Sequence, residues 1–404
     1  MYNNKGLFIP QGGLMKKNNI IKFYFLNFLV LATFNLAHPV TPRLINELEL
    51  PIFMFGLFFA LMSIGSYVFS PIWGSLSDFK GRKYFLIYGV LGYGFAQIGF
   101  GMSHHAFIIS VFRFIAGAFS VSYIAVMMAC INDLTTSENR IKSMAYLSAT
   151  VAMGGAAGSI LGGLVGSSNY FYTFIFQFIC CLLIAIAILF FIPETLINKK
   201  KKPIKISLNH LKFKKTALDY HSLLGNLILT VILLNIMTTS YNSTIGFFVE
   251  SALALPTYLN GIILSISPLI AIFVNFFVSP KVAKHFDGLK TLIFVTAVSG
   301  ASLFIWSVNS NILIVAPFFL IYLIISALAL PIYQGMIAEH AQDNAGELMG
   351  IQNSARSVGM VIGSLASGFL YDLGSRFPFI LGSFAAFICF FLLLNQLHLQ
   401  HKKR

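Results

Sequence analysis

Gly74-Ser75-Leu76-Ser77-Asp78-Phe79-Lys80-Gly81-Arg82-Lys83 is the stretch on which the reading of this chain turns. It is a short polar link between two apolar runs, near residues 53–77 and 84–103. Each run has roughly the twenty residues that a helix needs to cross a bilayer's hydrocarbon core. Gly81 permits a tight turn between them, and Asp78 can pair with Arg82 or sit at a neighbouring helix N-terminus. A charge pair at a helix end is a reversible latch that can lock one face closed. Basic residues gathered on the cytoplasmic side of a membrane would account for Arg82 and Lys83, but not for Asp78 between Gly74 and Gly81.

Outward from this loop the same pattern repeats. Of 404 residues, 57% are hydrophobic and 10% charged, and the mean hydropathy is +0.82. That is far from the roughly 25% charged content of an ordinary soluble domain. Apolar runs recur near 23–42, 53–77, 84–103, 106–131, 144–166, 171–192, 223–249, 258–281, 290–308, 312–337, 347–371 and 378–397. Hydrocarbon leaves a chain no backbone partner but itself, and runs of this length satisfy that as helices. The expected fold is an all-α membrane protein with twelve transmembrane helices.

Basic residues set the expected orientation. With both termini cytoplasmic, the inner segments collect Lys16, Lys17, Lys80, Arg82, Lys83, Arg140, Lys142, Lys199 to Lys202, Lys281, Lys284, Lys290 and Lys402 to Arg404, while the outer loops hold Arg43 and Arg376. The net charge of +14 is then explained by topology and anionic headgroups, without nucleic-acid binding. Cys130, Cys180, Cys181 and Cys389 fall within or at the ends of spans, at spacings that suggest neither a metal site nor a disulfide framework. No cofactor is expected, and there is no nucleotide-binding loop to suggest ATP-driven transport or an enzyme. The first apolar run precedes eleven more, so it reads as a span and not as a cleaved signal. Met15 stands directly before Lys16 and Lys17, a second position at which translation could begin.

The longest polar segment divides the chain. The expected organisation is a cytoplasmic tail over 1–22, a six-helix bundle over 23–192, a basic cytoplasmic linker over 193–222, a second six-helix bundle over 223–397 and a cytoplasmic tail over 398–404. The bundles resemble each other at a shift of 205 residues. Leu50-Pro51 with Gly56 matches Leu255-Pro256 with Gly261, and Gly158-Ser159 with Gly163 matches Gly363-Ser364 with Gly368. Gly81 answers Gly288 at a shift of 207. Repeats of this kind predict two pseudo-symmetric halves.

The loop from Gly74 to Lys83 resembles the signature loop of the major facilitator superfamily at every defined position. Arg113 with Gly117, in the fourth span, looks like that superfamily's membrane-embedded arginine motif. In the fifth span Gly154, Gly158, Gly162 and Gly166 recur every four residues on one helix face, which allows close helix contact. With Gly163 they resemble the span-five motif of the drug/proton antiporter branch, although Ser159 stands where that motif has proline. Ordinary small-residue packing explains the same glycines. Pro193-Glu194-Thr195 also resembles the branch, as a very short string. The resemblance implies alternating access between two bundles about a central cavity, with Asp78, Arg82, Gly81 and Gly74 in gating and Arg113 in coupling.

The ionisable residues refine the expected cargo. All thirteen acidic residues fall at or beyond span ends, with Glu47, Glu49, Glu250 and Asp372 on the outer side. Arg356 and Arg113, by contrast, lie well inside spans, where a charge is costly unless it meets a partner or water. Arg356 could also snorkel to an interface. The first span carries Asn35, His38 and Pro42 at helical spacing, and His38 can either carry a proton or be an interfacial histidine. The corresponding seventh span carries Asn235, Thr239, Asn242 and Gly246 on one face, as substrate contacts or interhelical hydrogen bonds. The resemblance places both spans at the central cavity. It also makes Asn35, Arg113, Asn235, Thr239, Asn242 and Arg356 substrate-cavity candidates. The expected function is proton-coupled export of a small molecule across a bacterial inner membrane by a monomer. Alternatives are export of an anionic metabolite such as a carboxylate siderophore, and uptake of a small polar or anionic solute.

Overall fold

A computed structural model describes residues 13–135, 140–196, 222–309, 311–339 and 345–403. Residues 1–12 of the expected N-terminal tail, residues 197–221 of the expected linker and Arg404 lie outside the described residues. The first half consists of α1 (Gly13–Asn35), α2 (Thr41–Glu47), α3 (Met54–Lys80), α4 (Arg82–Met102), α5 (Ala106–Leu134), α6 (Arg140–Val165) and α7 (Tyr170–Phe191). The second consists of α8 (Leu223–Phe247), α9 (Thr257–Phe273), α10 (Ser279–His285), α11 (Gly288–Val308), α12 (Ile312–Ser326), α13 (Ala329–Glu339), α14 (Ala345–Leu373) and α15 (Phe377–Lys403). Among the described residues every regular element is helical.

Ten of the expected spans are long and apolar enough to cross a membrane. The other two are α1, whose apolar part is the shorter Ile20–Asn35, and α14, whose 29 residues exceed the length required while Glu347 and Arg356 dilute its apolarity. Some spans are compound. A π-helical segment, Phe248–Ala252, extends α8, and another, Val274–Val278, joins α9 to α10. The twelfth of the spans continues through the expected tail to Lys403.

The first span is shorter than its apolar run predicts. Helix α1 stops at Asn35 instead of continuing to 42, and residues 36–40 form turns before α2 begins at Thr41. Pro39 lacks an amide N–H and disfavours helical backbone at His38, whereas Pro42 fits the first turn of α2. Asn35, His38 and Pro42 are therefore not one helical stripe. The carbonyls freed at the end of α1 find side chains from other helices. Tyr93 donates its hydroxyl to the Phe34 carbonyl at 2.8 Å, and Gln177 Nε2 donates to the Thr33 carbonyl at 2.6 Å.

The repeat is visible in how helices meet. Helix α1 packs on α6 as α8 packs on α14, and α4 on α7 as α11 on α15. Between the halves, α3 meets α14 and α9 meets α6, so one contact is made twice. Glycines make both contacts possible. Gly56 lies against the Ser364 carbonyl, with room for a Cβ only 2.9 Å from Gly368 Cα. Gly163 is similarly confined by the Thr257 carbonyl at 2.9 Å and Gly261 Cα at 3.1 Å. The pairs matched in sequence, Gly56 with Gly261 and Gly163 with Gly368, thus face each other crosswise.

These contacts lie at the end of the molecule opposite the Gly74–Lys83 loop. Phe53 stacks on Phe369 and Phe55 on Phe247 at the same end. Buried positions on α3 run from Met54 to Gly65 and resume only at Ser77, while those on α9 stop at Ser265. A Cβ on Gly74 or on Gly335 would meet open space. The halves close at one end and part toward the loop end.

Candidate functional site

At the loop end, Gly81 ends α3 and starts α4 with φ of 114°, a backbone conformation that glycine adopts without strain. The turn brings Arg82 back over the last turn of α3. Its Nη1 donates to Asp78 Oδ1 at 2.6 Å and to Ser77 Oγ at 2.9 Å, and its Nε donates to Asp133 Oδ2 at 3.1 Å. Arg82 is only 8% exposed, so these charge-assisted bonds are shielded. The Asp78–Arg82 pair read from the spacing is therefore present, and Asp133 of α5 completes it. Gly74 has no neighbour that requires it to be glycine in this conformation.

Glu194 completes the cluster. Its carboxylate accepts from the backbone N–H groups of Arg82 at 2.9 Å, Lys83 at 3.3 Å, and Thr195 and Leu196 at 3.0 Å each. Burial works to raise the Glu194 carboxyl, but the N–H groups of Leu196, Arg82, Lys83 and Thr195 outweigh it and hold it below its ordinary value. The carboxylate thus caps the N-terminus of α4, where the helix dipole favours negative charge. Lys83 Nζ donates to the Leu189 carbonyl at 2.7 Å. These partners of Arg82, Lys83 and Glu194 all belong to the first half, so the cluster braces the loop ends of α3, α4, α5 and α7 as one unit. Asp133 and Glu194 are distant in sequence from the loop, and only the short Pro193-Glu194-Thr195 string hinted at either.

Between the halves lies a cavity of about 530 Å³. Its wall includes Asn35, His38, Thr41 and Pro42 from the broken first span, Gly155 and Ser159 from α6, Asn242, Ser243 and Gly246 from α8, Ser267 and Pro268 from α9, and Arg356 from α14. Phe55, Phe59, Phe247 and Leu264 supply apolar surface. Among these lining residues, His38 and Arg356 can carry positive charge and none carries a carboxylate. Arg356 is exposed, consistent with a charge kept wet by the cavity. The break in α1 delivers His38 to the wall, where its ring stacks on Phe59 with centroids 5.7 Å apart.

The remaining candidates are placed elsewhere. Arg113 is 2% exposed and does not line the cavity. It donates from Nη1 to Gln97 Oε1 at 3.2 Å and lies over the Phe100 ring at 4.4 Å. Gln97 Nε2 donates in turn to the Tyr93 hydroxyl, which donates to Phe34 at the end of α1. Arg113 is thus tied to the cavity wall through a buried chain that fixes the end of α1. Asn235 and Thr239 are buried outside the lining, and Asn235 Nδ2 donates to its own helix at the Val231 carbonyl. Gly154, Gly158 and Gly162 pack against the α1 backbone and turn regions at Phe28, Ala32 and Leu36, and Gly166 packs against Val40. Gly163, on another face, makes the contact between halves.

Comparison with known proteins agrees with this architecture. A sequence model of the Major Facilitator Superfamily matches residues 23–363. "Multidrug resistance protein 2" of Bacillus subtilis (strain 168) is 23% identical over 363 residues, covering 89% of this chain and 90% of that protein. "Tetracycline resistance protein, class H" of Pasteurella multocida is 26% identical over 344 residues, covering 83% and 85%. Among solved structures, that of a POT family transporter in complex with 5-aminolevulinic acid aligns with a TM-score of 0.75 at 13% identity, covering 98% of each chain.

Proposed function

This chain belongs to the Major Facilitator Superfamily and is a multi-pass membrane transporter, and from that premise we propose that it exports a small molecule in exchange for protons. Export is the direction suggested by relatives named for multidrug and tetracycline resistance. The loop end is taken as cytoplasmic from the distribution of Lys and Arg, with both termini on that side. The conformation described is then open inward and closed outward. Alternation requires the crosswise glycine contacts to part while the loop ends of the two halves approach.

The observation that carries the substrate class is the cavity wall. Arg356 faces it without a carboxylate among its lining residues, so an anionic or neutral solute is matched there, and a cationic one meets a guanidinium unpaired among the described residues, while His38 offers a neutral hydrogen-bonding ring. Phe55, Phe59 and Phe247 accommodate an apolar portion of the same molecule. The fixed Asp78–Arg82–Asp133 brace moves with the first half as a rigid unit, and Arg113 holds the end of α1 that presents His38. The chain acts as a monomer.

Everted vesicles given a proton gradient test direction and coupling together. Gradient-dependent accumulation of an amphipathic organic anion, abolished by a protonophore, is expected. Accumulation only in right-side-out vesicles would make the protein an uptake permease instead.

A further inference from the structure

The closed end holds a carboxylate at the outer end of the seventh span. Glu250 lies in the π-helical segment that extends α8, and it is half-buried instead of projecting into water. Its two oxygens have only long contacts, Oε1 with Thr257 Oγ1 and Oε2 with Asn260 Nδ2, both at 3.5 Å. Asn260 is fully buried and reaches across the interface, where its Nδ2 donates to the Pro39 carbonyl at 3.0 Å. Pro39 offers that amide only an acceptor, so the amide orientation is fixed with nitrogen toward Pro39. Asn260 Oδ1 is left buried without a hydrogen-bond partner. Beside it, Asn46 Nδ2 of α2 donates to Ser251 Oγ at 3.0 Å, a second bond between the halves.

We propose that Glu250 is a proton-binding residue of the closed end, and that its protonated form holds the Asn260–Pro39 latch while its ionised form releases it. The balance is one proton. Ionised Glu250 accepts only, and a half-buried carboxylate with two long contacts beside an orphaned amide oxygen is better served by water when the halves part. Protonated Glu250 gains an O–H donor, the group that Asn260 Oδ1 lacks, while Asn260 Nδ2 keeps its bond to Pro39. The charged groups acting on Glu250 are Arg43 and Glu47 of α2, while α9 turns the neutral Thr257 and Asn260 to it. Arg43 is itself engaged with Glu47 and with the carbonyls of Gly166, Ser167 and Ser168 at the end of α6. A proton taken up at this end thereby favours closure here and opening at the other end, the order that proton-driven export needs. In that respect the inference deepens the proton-coupled reading and rests on it.

Spin labels at Ser168→Cys and Leu373→Cys, both exposed at the closed end on opposite halves, report the latch in full-length protein in nanodiscs with the native cysteines replaced. Pulsed electron resonance distances are compared in mildly acidic and in alkaline buffer. The short-distance population is expected to dominate in acid and to give way to a longer one in alkali. Glu250→Gln, which keeps an amide donor without a titration, is expected to stay short in both, and Asn260→Ala to lose the pH response. Exposed Glu49→Gln should retain it. A pH-dependent lengthening that persists in Glu250→Gln, or no lengthening in the unsubstituted protein, overturns the proposal. Solute flux in liposomes from the same preparation separates the two ideas: flux indifferent to a proton gradient overturns proton coupling, whereas the latch stands or falls on the distances.

Discussion

Gly56 of α3 and Gly368 of α14 touch backbone to backbone, although they are 312 positions apart and belong to different halves. A side chain at either position has to displace main chain, because the Ser364 and Phe53 carbonyls occupy the space. Overpacking of a tight contact costs about 1–3 kcal/mol. Since about 1.4 kcal/mol is tenfold in an equilibrium constant, Gly56→Leu should shift the closed–open equilibrium at this end roughly tenfold toward open. Thiol accessibility of cavity-facing cysteines from the outer side is expected to rise as transport falls; unchanged accessibility would mean the seam is dispensable.

Asp78→Asn removes one charged acceptor from Arg82 and leaves Asp133 as its ionised partner. A hydrogen bond to a charged group is worth about 1.5–3 kcal/mol, so the brace should weaken without the bundle unfolding. Transport is expected to drop about tenfold or more at an unchanged level in the membrane. Asp133→Asn should act in the same direction. Full transport by a well-inserted Asp78→Asn protein would remove the brace from the mechanism.

Acid should loosen the start of α4. Glu194 is held below its ordinary value in the folded protein, so its contribution is present above the unfolded value of about 4.3 and is lost as pH falls through the lower folded value. Hydrogen exchange at the Arg82 and Lys83 amides is expected to accelerate on acidification through that window. Glu194→Gln should show fast exchange at neutral pH and little further change in acid.

Arg356→Ala tests the cavity charge. If solutes bind as anions beside this guanidinium, inhibition by organic anions should weaken about tenfold or more, the scale of a lost charge-assisted bond, while uncharged competitors keep their potency. Stronger inhibition of the unsubstituted protein by lipophilic cations than by anions would reverse the assignment of substrate class.

The helices, the halves and the Asp78–Arg82 pair are legible in sequence because each follows from local spacing: apolar length, a repeated shift, and two charges separated by one turn. The crosswise meeting of Gly56 with Gly368 is not, since a repeat identifies equivalent positions but not which of them touch. Arg113 illustrates a second limit. Its span is apolar nearly all round, so no stripe tells which face meets Gln97 and which meets the cavity. Asn235 and Asn242 share a sequence stripe, yet only Asn242 lines the cavity. Span ends place Glu250 on the outer side, but its half-burial is not legible, because it sits in a π turn that no spacing rule announces. The early end of α1 had a signal in Pro39 and Pro42, but an uninterrupted apolar run masks a break when length alone is read.

The crosswise glycine contacts also bear on how the transporter responds to temperature. A gate of interlocking long side chains would lose rotamer freedom each time it shut, at up to about 1.5–2 kcal/mol for each long chain immobilised. Gly56, Gly163, Gly261 and Gly368 have no rotamers to lose. Shutting this end therefore orders little at its points of closest approach, and the balance between its two states should drift only slightly as the membrane warms.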